Sequence, residues 1–213
     1  MLNITRLPEP PSLIAYRQQP QAEYDGPQFT PVKKDIRTRL LISQGYLCAY
    51  CMKRITDDQL QTKVEHWKCQ DNYSEAQLDY TNMFVVCLGS TQGEEHCDSS
   101  KKNKDLTINP ASSIKKVESF IKYTRIGEIY VDDDNEISKD LNVILNLNFD
   151  RLKRNRMAVY DAIKTKLSQK KGAATKKELE DLLEKYSQPK LNGQKIQYCG
   201  IAIYFLKKRL SRM

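Results

Sequence analysis

Cys48-Ala-Tyr-Cys51 sets two thiols three positions apart, the spacing of a tight turn from which both sulfurs reach one tetrahedral ion, for zinc at ~2.3 Å. A half-site of this kind needs a second pair. Cys87 and Cys97 supply it from either side of a glycine-containing loop, Leu88 to Glu95. The expectation is a structural zinc knot of Cys48, Cys51, Cys87 and Cys97. His96, next to Cys97, is an alternative fourth ligand, because imidazole serves zinc equally well. A redox pair is the competing reading of Cys48 and Cys51, but no βαβ pattern surrounds them to favour it. Cys69 and Cys199 have no partner in sequence and read as plain reduced cysteines.

Between the halves of the knot, Val64-Glu65-His66-Trp67 places an acid beside a histidine in a strand-like run. Asn82 follows, five residues before Cys87, and then His96-Cys97-Asp98-Ser99-Ser100-Lys101. Cys-x-x-Cys, acid-His, Asn before Cys and a closing Cys-Asp-x-x-Lys together resemble the zinc-bearing HNH endonucleases. With Leu145-Asn146-Leu147-Asn148 and Arg156, the pattern more closely resembles the HNH nucleases of Septu and retron anti-phage systems, the PtuB-like group, over most of the chain. No chemistry attaches to the Leu-Asn-Leu-Asn element itself, which a β-turn or the start of a helix explains.

The resemblance implies an α+β fold, a ββα-metal (HNH) finger with its four-cysteine zinc knot embedded in a mainly helical protein with a small hairpin. Phosphodiester hydrolysis needs a base for the attacking water and a cation near the scissile phosphate. His66 suits the base, since imidazole titrates near physiological pH. Neighbours in a strand point to opposite faces, so Glu65 and His66 share a target only at a twist, bulge or strand end; the family's solution is the strand end. Glu65 and Asp98 would then hold a catalytic Mg2+ or Mn2+, a hard cation suited to oxygen ligands. Asn82 would brace the loop that orients His66, and Lys101 would reach a phosphate as a point charge. Glu65 stands where Asp is commoner in these enzymes, and Asp98 where Asn or His is usual. Two carboxylates make a more anionic site, which tightens the cation and repels phosphate until metal is bound. The resemblance also implies an effector subunit of an anti-phage complex, working with an ATPase (PtuA-like) in a hetero-oligomer. The competing reading is a catalytically inactive zinc-stabilised adaptor for nucleic acid or protein, which would not need Glu65, His66 and Asp98 together.

Elements must position these groups. Thr30-Pro31 reads as an N-cap and first helical position, Ile36, Leu40 and Gln44 continue at helical spacing, and Gly45 ends a helix that delivers Cys48. Phe120 to Val131, interrupted at Gly127 and ended by Asp132-Asp133-Asp134-Asn135, reads as a hairpin with a solvated acidic turn. From Asp150, Leu152, Arg156 as an aliphatic stem, Val159, Ile163 and Leu167 recur at helical spacing until Lys170-Lys171-Gly172. Thr175 and Glu178 form a capping box before Leu179, Leu182 and Leu183. A last helix covers Tyr198 to Leu210, and its Lys207-Lys208-Arg209 complements the helix dipole, with nucleic-acid contact as the alternative. The organisation expected is an extended, proline-rich N-terminal arm over 1–29, a nuclease module over 30–115, and a hairpin with a C-terminal helical region over 116–213. The arm and the helical tail are the expected docking surfaces.

At 213 residues, with 39% hydrophobic and 29% charged residues, the chain can bury a core and is too apolar for wholesale disorder. No run approaches the ~18 apolar residues of a membrane span, and Met-Leu-Asn-Ile-Thr-Arg lacks the apolar centre of a signal peptide, so a cytoplasmic protein is expected. A net charge of +8 suits a polyanionic partner, here nucleic acid with DNA as the expected substrate.

Overall fold

The structure, a computed structural model, describes residues 1–91, 93–169 and 172–213. The stop expected at Lys170-Lys171 falls outside the described residues. The elements run α1 (Pro11–Tyr16), α2 (Phe29–Ser43), β1 (Thr62–His66), β2 (Met83–Cys87), β3 (Ser90–Thr91), β4 (Glu94–Glu95), α3 (Asp98–Lys101), β5 (Lys122–Tyr123), β6 (Ile129–Tyr130), α4 (Asn135–Lys139), α5 (Asp150–Ser168), α6 (Lys176–Ser187) and α7 (Cys199–Leu210), with short 3-10 turns between them. Helices thus carry most of the framework around three two-stranded antiparallel ladders, β1–β2, β3–β4 and β5–β6. No helix among the described residues is long and apolar enough to cross a membrane.

Strand β2, Met-Phe-Val-Val-Cys, is buried along its whole length and pairs with β1 from Thr62↔Cys87 to His66↔Met83. A fully buried strand cannot leave its second edge to water, because each unpaired amide would cost about 1–3 kcal/mol. Gln44 supplies the missing edge: its side-chain amide accepts from Val85 N at 2.9 Å and donates to Val85 O at 2.7 Å. Helix α2 brings Gln44 there and buries Phe29, Val32, Ile36, Leu40 and Leu41 along one face. It starts two residues earlier than Thr30-Pro31 predicts, at Phe29, from Gln28 in a left-handed conformation with no side-chain cap. Pro31 sits in its first turn, where a missing N–H costs nothing.

The N-terminal stretch is not the extended arm its prolines suggested. Met1, Leu2, Ile4, Leu13 and Tyr16 are buried in the main core, and Pro11 opens α1. Arg6 donates to Met83 O at 2.6 Å and Thr81 O at 2.8 Å, with its guanidinium 4.3 Å from the Phe84 ring centre. Segments without periodicity can still pack, because scattered apolar residues find a surface that the rest of the chain builds.

The expected hairpin is present as β5–β6, and the capping box of Thr175 and Glu178 opens α6. A second, smaller core of Ile163, Ala174, Leu179, Leu182, Ala202 and Leu206 joins α5, α6 and α7. A π-helical turn, Asp140–Ile144, leads into the Leu145–Asn148 element, whose role becomes visible at the site.

Candidate functional site

One end of the β1–β2 ladder carries the four cysteines. Their sulfurs all lie within 4.8 Å of one another, and all four residues are buried. Cys48 Sγ is 3.9 Å from Cys97 Sγ, and Cys51 Sγ is 3.7 Å from Cys87 Sγ. A tetrahedron with sulfurs ~2.3 Å from its centre has edges of ~3.8 Å, whereas a disulfide needs about 2.05 Å. The spacing is that of ligands around an ion. Four buried thiols cannot all ionise without a cation. Burial opposes ionisation of Cys48, yet hydrogen bonds from the other three cysteines hold it well below the ordinary range, while burial and its own bonds to Cys48, Cys51 and Cys87 drive Cys97 well above it. His96, the alternative ligand, stands outside the group. Its Nδ1 is 3.2 Å from Cys97 Sγ and its ring stacks on Phe149, so it serves as a neighbour of the sulfur.

The loop from Cys87 to Cys97 closes at Gly89, where φ is +72° and a Cβ would lie 1.8 Å from the His96 carbonyl oxygen. No other residue type fits there. Beyond the loop, Cys97 N donates to Leu145 O at 2.9 Å and Asn146 Nδ2 to Glu95 O at 2.9 Å. Asn148 brackets Ile129 of β6, accepting from its N at 2.8 Å and donating to its O at 2.8 Å. Arg156, expected only as an aliphatic stem, is 1% exposed and donates to Gly127 O, Leu147 O and Asn148 Oδ1. The Leu-Asn-Leu-Asn element is therefore a clamp that ties the cysteine loop to the β5–β6 hairpin and α5. Its bonds join residues far apart in sequence, which no periodicity reports.

The other end of the ladder holds Glu65 and His66, with His66 the last residue of β1. Both line a cleft of about 530 Å³ together with Asp98, Lys63 and Tyr24. His66 Nε2 lies 2.9 Å from Gln77 O. A carbonyl only accepts, so Nε2 carries the proton and Nδ1 keeps the lone pair of the neutral ring. Burial lowers the His66 pKa below 6.5, with the Gln77 bond opposing and Lys101 adding to the fall, so the neutral ring prevails at pH 7. Tyr24 packs edge-on against the imidazole, ring centres 4.5 Å apart, and its hydroxyl has no hydrogen-bond partner among the described residues.

Asn82 lies behind the histidine. Its Oδ1 accepts from Lys68 N at 2.8 Å, and its Nδ2 donates to Lys68 O at 3.0 Å and Ala76 O at 3.2 Å. These bonds fix the chain on both sides of the loop that carries Gln77, the partner of His66. Asn82 touches no cleft surface, and its place is that of a brace.

Glu65 and Asp98 each face a lysine. Lys101 Nζ is 2.8 Å from Glu65 Oε1, and Lys63 Nζ is 2.9 Å from Asp98 Oδ2. Tyr50 OH also donates to Glu65, at 3.1 Å. Lys101, expected to reach out to a phosphate, instead points inward at 1% exposure and donates to His66 O at 3.0 Å. A buried carboxylate demands a countercharge, and Lys101, one turn past Asp98, is where α3 supplies it. Burial still raises the Glu65 pKa from 4.5 to about 7 against the pull of Lys101. Tyr24, Tyr50 and Gln77 were absent from the reading of the sequence. Tyr24 and Gln77 lie outside the motif and Tyr50 sits within Cys48-Ala-Tyr-Cys51 as a spacer, and single tyrosines and glutamines give no signal of their own.

No protein-family model matches the chain. Over 93 residues, 42% of the chain, it is 33% identical to the protein named "Retron Vc95 putative HNH endonuclease" from Vibrio cholerae serotype O1 biovar El Tor. The chain spans 44% of that relative's length. This chain is thus a distant relative, over less than half of either sequence, of a protein named as a retron HNH endonuclease.

Proposed function

We propose that this protein is a metal-dependent endonuclease of the HNH type, stabilised by zinc at the four-cysteine group. The observation that carries the reading is His66 at the strand end, neutral, with Nε2–H fixed on Gln77 O and Nδ1 unprotonated, in one cleft with two carboxylates. The distant likeness to a named HNH endonuclease supports it.

The donor set suits a hard divalent ion, because Glu65 and Asp98 offer carboxylate oxygens in one cleft. Bound there, Mg2+ or Mn2+ would offset the charge that develops on the phosphate and leaving oxygens. His66 Nδ1 takes the proton of the attacking water, a contribution worth about 10²–10⁴ in rate. Gln77 O and the Asn82 brace keep the ring from rotating away. Lys101, held on Glu65, favours the ionised form of that carboxylate. From the resemblance of its motifs to the Septu and retron-associated nucleases, and not from the name of the relative, we assign DNA as the substrate, an anti-phage effector role in the cytoplasm and an ATPase subunit as controller, which co-purification from the native host tests.

Purified protein incubated with DNA or RNA and Mg2+ or Mn2+ should cleave DNA, and His66→Ala should lower the rate by about 10²–10⁴ without changing zinc content. No cleavage under any of these conditions, or an equal rate in His66→Ala, would sink the reading. The Glu65–Lys101 pair favours a second one, an inactive adaptor whose cleft is closed by its own lysine; nucleic-acid binding without cleavage is its signature.

A further inference from the structure

The cleft has too little positive charge to hold a polyanion. Five carboxylates and four lysines line it, so with His66 neutral it carries no net positive charge before a divalent ion binds. The chain as a whole carries +8, so its positive surface lies elsewhere. It gathers at a groove of about 330 Å³ lined by Arg125, Lys164, Lys208, Arg209 and Arg212, with no acidic residue in its walls.

These five cations come from three parts of the chain: the β5–β6 turn, the C-terminal part of α5, and the end of α7 with the turn beyond it. All five are exposed. None has a carboxylate within ion-pair distance among the described residues, whereas Lys33, Lys115 and Lys122 on the same protein each do. A helix dipole accounts for Lys208 and Arg209 at the last turn of α7. It does not account for Arg125 or Lys164, which approach from other elements. Convergence of unpaired like charges opposes folding, and a polyphosphate relieves it by releasing its own counterions. The groove also presents two rings, Tyr160 and Phe205, with centres 4.5 Å apart.

We infer that this groove is a second nucleic-acid-binding surface, which holds the phosphate backbone of the substrate while the cleft acts on it. It rests on the nuclease reading for its ligand class but not for any chemistry. The cations grip successive phosphates, and the aromatic pair offers a face to bases or sugars at frayed or single-stranded positions.

The test is anisotropy of a labelled DNA duplex with the zinc-loaded full chain and no added Mg2+ or Mn2+, at several salt concentrations. The Lys208→Glu/Arg209→Glu/Arg212→Glu variant should bind at least about tenfold more weakly. Its slope of log affinity against log salt should be shallower by roughly 2.7, three phosphate contacts at about 0.9 each. Zinc content and circular dichroism establish that the variant is folded, and the triple Gln variant replaces it if charge reversal disturbs folding. Unchanged affinity and slope in a folded variant would overturn the inference. So would displacement of the duplex by poly-glutamate at equal charge, which reassigns the groove to an acidic protein. In a parallel reaction with Mg2+ or Mn2+ added, groove-dependent binding without cleavage leaves the groove standing and removes the nuclease reading; cleavage with full binding by both variants does the reverse.

Discussion

At the Cys87 end of the β1–β2 ladder, four thiols face one another with no other charged partner among them. At the His66 end, every reactive group is already engaged: Glu65 with Lys101, Asp98 with Lys63, His66 with Gln77. Two sites on the same pair of strands are thus built differently. Beyond one another the thiols meet Lys53 N, 3.4 Å from Cys51 Sγ, and His96 Nδ1, 3.2 Å from Cys97 Sγ, neither of which supplies a full positive charge, so an ion shared by all four would make metal binding part of folding. The cleft is satisfied by the protein itself, so the ion proposed there would compete with Lys63 and Lys101 for the carboxylates. On the proposed reading the first arrangement would hold its ion tightly, and the second would take one up in a way that depends on pH and metal concentration.

The largest effect should come from breaking the knot. Cys51→Ser or Cys87→Ser removes a ligand whose site contributes on the order of 10–16 kcal/mol of apparent binding free energy as folding energy. The expected outcome is loss of zinc by metal analysis and loss of the cooperative thermal transition. A variant that stays folded and zinc-free would show the four cysteines to be ordinary core.

A smaller effect should follow in the cleft. Lys101→Met leaves Glu65 buried without its countercharge, at a cost of about 3–5 kcal/mol, read as a lower denaturation midpoint. Adding Glu65→Gln should restore much of that loss, because the uncompensated charge goes with it. If the double variant is no more stable than the single one, Lys101 matters for packing and not as a countercharge.

The smallest effect is in pH. Glu65 holds its proton up to about 7 in the folded protein against an ordinary value of 4.5, so its burial makes the fold less stable as pH rises from about 4.5 to about 7. Metal binding needs the ionised form. Cleavage at limiting Mn2+ should therefore rise with pH through about 7, and a tenfold higher Mn2+ concentration should move the midpoint lower by competing with the proton. A midpoint indifferent to Mn2+ would take Glu65 out of the metal site.

The knot was legible in the sequence because thiol spacing is a local property: Cys48 and Cys51 need one turn, and Cys87 and Cys97 one loop. Helices α2, α5 and α6 were legible through their apolar periodicity, and α6 through its capping box as well. The placing of Glu65 and His66 at a strand end came from the resemblance, and β1 ends there. What stayed hidden depends on contacts between distant segments. The burial of Lys101 is set by Glu65, 36 positions earlier. The packing of residues 1–29 is set by β2 and the core beneath it, and the grip of Asn146 and Asn148 by the cysteine loop and β6. A side chain bonded to a remote main-chain group leaves no pattern in the residues beside it.

The bond from Cys97 N to Leu145 O has a temporal meaning. During synthesis the fourth cysteine leaves the ribosome well before the carbonyl that anchors it, and roughly fifty residues at about 5–20 residues per second amount to a few seconds. Throughout that interval the cysteine loop lacks its clamp, and neither Asn146 nor Asn148 is present to fasten it to the hairpin. A nascent chain therefore carries all its cleft residues before it carries the fastening that holds the cysteine loop.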